Sequence, residues 1–180
     1  MKKKGAANPF RQKLQLVRGR PETGAWLRAV KLDQEQELQS ILGLMARGGR
    51  FNPPGEFPIL HAAEDDERSR ERMLRWIQEE QEPDGTMAVI VLKVKLSRVL
   101  DLASGATRRR LGITLRELNN PRLSRAGQQI GAAAHDAGFE GIIYPRPLKP
   151  NQRNLALFMD RIKAKKSGVL GRMAGESDAA

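Results

Sequence analysis

Residues 128–145 read QQIGAAAHDAGFEGIIYP. The first ten are small or polar residues around Ile130, a composition that packs well as a helix. Gly138 follows where a helix C-terminus places a left-handed residue, which favours glycine. Phe139 to Tyr144 then turns apolar and β-prone, and Pro145 stops that strand. A helix that passes directly into a strand predicts a fold mixing α and β structure.

Upstream, TMAVIVLKVKL at 86–96 is the clearest strand, apolar on both faces at its start and therefore central. VLDL at 99–102 continues as a second extended piece. Nearer the start, RPETG at 20–24 reads as a turn and AWLRAV at 25–30 as a short strand. Leu38, Ile41, Leu42 and Met45 recur at the spacing of one helical face over 34–45, and Gly48-Gly49 ends that helix. An apolar run at 57–63 predicts another strand. Asp65 or Asp66 can then cap a helix with Met73, Leu74 and Ile77 on one face. Residues 103–125 read as irregular, with helical turns near 107–111 and 114–118. Beyond Pro145, 146–153 is a proline-rich basic loop and NLALFM at 154–159 a last strand. The chain is expected to form a single α+β domain over 10–163, between a flexible basic start (1–9) and a flexible tail (164–180). Trp26 and Trp76 are expected in the core.

Composition narrows the function. With no cysteine among 180 residues, disulfide and thiolate chemistry are excluded. Two histidines, His61 and His135, without ligand spacing argue against a metal centre. No apolar run approaches a membrane span, and the lysines after Met1 are not followed by the apolar stretch of a signal peptide, so a cytoplasmic protein is expected. The net charge is +11, and it is uneven: 1–50 carry 11 basic and 4 acidic side chains, whereas 51–100 carry 7 and 10. Such a surface attracts a phosphorylated ligand, an acidic protein or nucleic acid. A nucleic-acid-binding module rests on charge alone, because aromatic residues are 4% of the chain and no helix-turn-helix or zinc motif is present.

Two segments carry candidate chemistry. In GGRFNPPG, 48–55, paired glycines let the backbone turn closely and paired prolines stiffen its exit. That loop presents Arg50 and Asn52, a guanidinium beside free amides, which suits a phosphate or carboxylate. The strand ending at Pro145 delivers a second basic set, Arg146, Lys149 and Arg153, where α/β folds gather ligands.

Together these stretches resemble the RES domain, a family of bacterial proteins often encoded as toxins beside an antitoxin. The match runs through Leu27-Arg28, GGRFNPPGEFPILHAAEDDE at 48–67, VLDL at 99–102, QIGAAAHDAGFEGIIYP at 129–145 and NLALF at 154–158. The resemblance implies an ADP-ribosyltransferase-like fold, a split, mainly antiparallel sheet with flanking helices around an NAD cleft. It implies NAD as substrate and no metal. The nicotinamide–ribose bond would be cleaved by hydrolysis, phosphorolysis or ADP-ribosyl transfer. An acidic antitoxin protein is the implied partner.

The family is named for an arginine, a glutamate and a serine. The arginine falls on Arg28 and a second pocket arginine on Arg50. A tyrosine usual after the apolar strand is replaced by His61. Counted without gaps the glutamate falls on Arg72, with Glu71 one residue earlier and Glu67 one helical turn back. The serine falls on Arg146. The resemblance thus assigns catalysis to Arg28 and Glu71, and NAD binding to Arg28, Arg50, Asn52, His61 and Arg146. A carboxylate such as Glu71 would stabilise the positive charge that builds on the ribose as nicotinamide leaves. A binding protein without turnover on the same scaffold is the alternative.

Overall fold

The computed structural model describes residues 7–31, 42–43, 45–79, 87–120, 124–147, 149–162 and 168–173. In chain order the elements are α1 (Arg11–Gln15), β1 (Arg20–Lys31), β2 (Ile59–Glu64), α2 (Glu67–Glu79), β3 (Met87–Asp101), α3 (Gly105–Leu111), α4 (Leu115–Asn119), α5 (Ser124–Asp136), β4 (Gly141–Arg146), β5 (Lys149–Phe158) and β6 (Gly168–Met173). Of the helix expected over 34–45, only 42, 43 and 45 are described, and they are helical.

Local signals start and stop the helices. Asp66 Oδ1 accepts from the Ser69 amide at 2.6 Å and caps α2. Ser104 caps α3, and Thr114 with Glu117 forms a capping box on α4. These caps raise the two turns read in 103–125 to short helices. After α5, Gly138 takes φ 79°, and the amide of Phe139 returns to the Ala134 carbonyl. That closure turns the chain directly into β4.

The sheet order is β1-β2-β5-β4-β3-β6, and β1 also pairs with β3, so five strands close into a ring with β6 added beside β3. The pairing is antiparallel except between β3 and β4, which are parallel. The sheet is therefore closed rather than split. The reason lies in β3, whose 15 residues are one strand and not the two pieces at 86–96 and 99–102. Glu140 Oε2 accepts from the amides of Ser97 at 2.5 Å and Arg98 at 2.9 Å, which satisfies the backbone at the polar interruption. Continuous β3 then reaches β1 along Met87 to Leu96 and β4 from Val99 to Asp101.

Three further expectations change. Residues 20–24 belong to β1 rather than a turn; Pro21 falls where the β1–β3 register shifts, so its missing amide breaks no ladder bond. Pro145 lies within β4 beside a second register shift, and β5 starts at Lys149, so the expected loop at 146–153 is mostly a tight hairpin. Backbone 168–173, in the stretch expected as tail, pairs with β3 from Ile90 to Lys95.

Both faces of the sheet are buried. Trp26, Leu60, Ala62, Leu92, Val94, Leu96, Ile143, Leu155 and Leu157 form one cluster. Ile59, Leu100, Ile142, Tyr144, Ala156 and Phe158 join the other, under Leu14, Leu111, Leu118, Ile130 and Ala134 from the helices. Adjacent residues on β4 and β5 alternate between the two clusters, which explains runs as apolar as GIIY and LALF. Trp26 is 1% exposed as expected, whereas Trp76 on α2 is 38% exposed. Among the described residues, no helix is long and apolar enough to cross a membrane.

Candidate functional site

The loop at 48–55 is built from within and then seated on α5. The Gly49 amide donates to the Asn52 carbonyl at 2.9 Å, and the Gly55 amide to the Met45 carbonyl at 2.7 Å. The Asn52 side chain is 1% exposed, and its amide nitrogen donates to the Phe57 carbonyl at 3.2 Å. Gln128 Nε2 on α5 donates to the Gly49 carbonyl at 3.0 Å. One turn on, a Cβ on Gly131 would stand 1.7 Å from the Phe51 carbonyl oxygen, so only a glycine lets the helix come this close. Phe51 is fully buried beneath.

This seat fixes Arg50. Its guanidinium donates to the Leu118 carbonyl and, at 3.0 Å, to Asn119 Oδ1, both at the end of α4. It also lies 5.1 Å from the ring centroid of Tyr144 on β4, within cation–π range. Burial pulls the Arg50 pKa below its ordinary value, and Tyr144 opposes that shift.

Arg28 arrives from β1, and its Nη1 donates to the His61 carbonyl on β2 at 3.0 Å. The His61 ring contacts Tyr144, with Nδ1 3.1 Å from the phenol oxygen. Tyr144 thus touches both His61 and Arg50, while Phe51 packs edge-on against its ring at 4.9 Å. His61 titrates at about 4, lowered first by burial and then by the positive charges of Arg28 and Arg50. Burial raises Tyr144 to about 12, and Arg50 opposes that rise. Both groups are therefore uncharged at neutral pH, beside two permanent cations.

Arg28, His61, Tyr144 and Arg50 are consequently linked in one chain of contacts. Asn52 is turned inward and braces the loop. Arg146, at the end of β4, donates to Gln152 Oε1 at 2.9 Å across the β4–β5 hairpin. Glu71 is exposed on α2, whose buried or half-buried positions are Ser69, Arg72, Met73 and Ile77. No contact joins Arg146 or Glu71 to the Arg28–His61–Tyr144–Arg50 set among the described residues.

Sequence reading did not single out Tyr144 as a site residue. The available signal was one tyrosine in the whole chain, closing an apolar strand immediately before a proline. Gln128 and Asn119, which hold the loop and its arginine, carried no local signal. A second polar set stands apart: Arg153 is ion-paired with Glu64, and Arg20 bridges Glu22 and Asp101. Each charge there is matched by a neighbour, the pattern of a structural network. Among the described residues, no group of three or more His, Cys, Asp or Glu side chains is placed to hold a metal ion.

Comparison with known proteins adds three findings. The model of the RES domain matches residues 25–169. No curated protein sequence matches the chain. Among solved structures, a chain in the crystal structure of the M.tuberculosis MbcT-MbcA toxin-antitoxin complex superposes with a TM-score of 0.67 at 18% identity, covering 92% of each chain. At that identity the likeness is one of fold.

Proposed function

The chain belongs to the RES domain family, and on that premise we propose that it is a toxin-like enzyme that binds NAD and cleaves its nicotinamide–ribose bond. The observation that carries this reading is the meeting of Arg28 and Arg50 around the uncharged His61–Tyr144 pair. Two guanidiniums near one neutral acceptor–donor pair create a positive potential that a diphosphate satisfies. Arg28 and Arg50 grip the pyrophosphate, and Arg28 also steadies the reacting end. His61 offers a hydrogen bond to the ligand, Arg146 a further phosphate contact, and Asn52 holds the loop in shape.

In the reaction the glycosidic C–N bond breaks and its electron pair leaves on the nicotinamide nitrogen. An oxygen of water, phosphate or a protein acceptor bonds to the ribose carbon; a water or hydroxyl oxygen releases its proton to solvent, and an ionised phosphate oxygen has none to lose. Positive charge on the ribose peaks between these events, where the carboxylate of Glu71 stabilises it. The proposed partner is an acidic antitoxin protein covering the basic cleft. The fold neighbour was crystallised within a toxin–antitoxin complex.

A second reading is favoured by one observation: Glu71 is exposed and Arg72 occupies the half-buried helical position. On that reading the pocket binds NAD without turning it over. Incubating the pure protein with NAD and measuring released nicotinamide separates the two. Release that is lost in Glu71→Gln while NAD binding persists supports the enzyme. Tight NAD binding without release supports the binder. Arg28→Ala and Arg50→Ala should each weaken NAD binding about 30-fold, the loss of one charge-assisted contact worth roughly 2 kcal/mol. If neither changes binding, the pocket assignment fails.

A further inference from the structure

We infer that Tyr144 is a positioning residue of this pocket: its hydroxyl donates to Nδ1 of His61, fixes the imidazole with its proton on Nε2, and so makes His61 a third hydrogen-bond donor beside the two guanidiniums.

The argument starts with the phenol proton. Tyr144 is 6% exposed, and its hydroxyl has one polar partner among the described residues, His61 Nδ1 at 3.1 Å. If Nδ1 carried the imidazole proton and donated to the phenol oxygen, the phenol's own proton would be left without an acceptor among the described residues, on a side chain that is 6% exposed. That arrangement costs about 1–3 kcal/mol, enough to decide between tautomers of nearly equal intrinsic energy. With the hydroxyl donating, Nδ1 is the acceptor and the proton resides on Nε2.

The hydroxyl direction is itself held. Phe51 packs edge-on at 4.9 Å from the Tyr144 ring centroid and Arg50 lies over the ring at 5.1 Å. Tyr144 and its neighbours on β4 are buried on both faces of the sheet, so the ring has little room to swing. Nε2 is the remaining polar atom of His61. It has no protein partner among the described residues, and His61 is half-buried rather than fully enclosed. Burial and the two arginines keep the ring uncharged at neutral pH, so the donor is a neutral one.

The consequence is a site at which the side chains of Arg28, Arg50 and His61 can only donate. It selects ligand atoms that only accept, the oxygens of a deprotonated phosphate or diphosphate, and disfavours groups that present N–H or O–H. This ligand class rests on the NAD-binding reading, whereas the tautomer does not.

The test uses histidine labelled with nitrogen-15 and carbon-13 in the full chain. The chain has two histidines, so the ring signals are few, and His61→Gln assigns them. The expected result at pH 7.5 is His61 as the Nε2–H tautomer, and a shift toward mixed tautomers in Tyr144→Phe, which keeps the ring under Arg50. Inorganic pyrophosphate and NAD should each bind Tyr144→Phe roughly five-fold more weakly, the effect of losing one neutral hydrogen bond in the pocket. A His61 found as the Nδ1–H tautomer in the parent overturns the inference. So does an unchanged His61 tautomer in a folded Tyr144→Phe. Should that variant fail to fold, the parent spectrum alone decides. If the tautomer is as inferred but neither pyrophosphate nor NAD binds, the functional reading falls and the positioning role stands.

Discussion

Acidification should destabilise this protein through His61, by an amount that follows from its surroundings. In the unfolded chain an unperturbed histidine titrates near 6.5, whereas burial followed by the charges of Arg28 and Arg50 lowers His61 to about 4 in the fold. The folded pKa is depressed, so above pH 6.5 neither state binds the proton and the contribution is nil. As pH falls below 6.5 the unfolded chain takes up a proton that the native state refuses, and stability declines until the folded pKa is passed. Each pH unit in that window costs about 1.4 kcal/mol, so the loss is about 2 kcal/mol at pH 5 and levels off near 3 kcal/mol below pH 4. The assay is urea unfolding of the parent and of His61→Gln at pH 7.5 and pH 5. Glutamine keeps an acceptor for the Tyr144 hydroxyl but cannot titrate. The difference in stability between the two proteins should shift by about 2 kcal/mol in favour of glutamine on going to pH 5. Parallel pH dependence in the two proteins would refute the reasoning, because every other titrating group is common to both.

Other consequences are as direct. Gly131→Ala places a methyl 1.7 Å from the Phe51 carbonyl oxygen, so either helix or loop must move; urea unfolding should show a loss of about 2–3 kcal/mol, with NAD binding weakened through the displaced Arg50. Trp26→Ala should cost about 3–5 kcal/mol, as for a large side chain removed from a core, while Trp76→Ser on the exposed side of α2 should stay within about 0.5 kcal/mol; thermal melts of the pair test the burial contrast. Binding of NAD by the parent should weaken steeply between low and physiological salt, since two cations meet the ligand's charge, and Arg50→Ala should flatten that slope when measured by calorimetry.

Much of the architecture was legible because its causes are local. The α5–Gly138–β4 passage, the Asp66 cap and the two short helices after β3 each depend on residues within a turn of one another. The apolar runs of β3, β4 and β5 announced strands, and the start of β3 a central one. The family followed from the same segments, since GGRFNPPG and GFEGIIYP are each set by their own backbone requirements. Reading failed where a proline's effect depends on its partner strand. Pro21 and Pro145 looked like breaks, but each sits at a register shift where no ladder amide is needed.

The sequence by itself determined where most of the helices and strands have their cores, though not all of their bounds, and placed two arginines on rigid supports. Only the tertiary structure decided what surrounds them. Closure of the sheet through β1 and β3 joins strands some 70 residues apart, and no local preference encodes that pairing. The His61–Tyr144 contact spans 83 residues, and the bond from Arg50 to the Leu118 carbonyl spans 68. Likewise the phase of α2, with Arg72 half-buried and Glu71 exposed, is fixed by the surface the helix packs against. Propensity and capping act over a few residues. Charge, tautomer and accessibility at a site depend on whatever the fold brings within hydrogen-bonding distance.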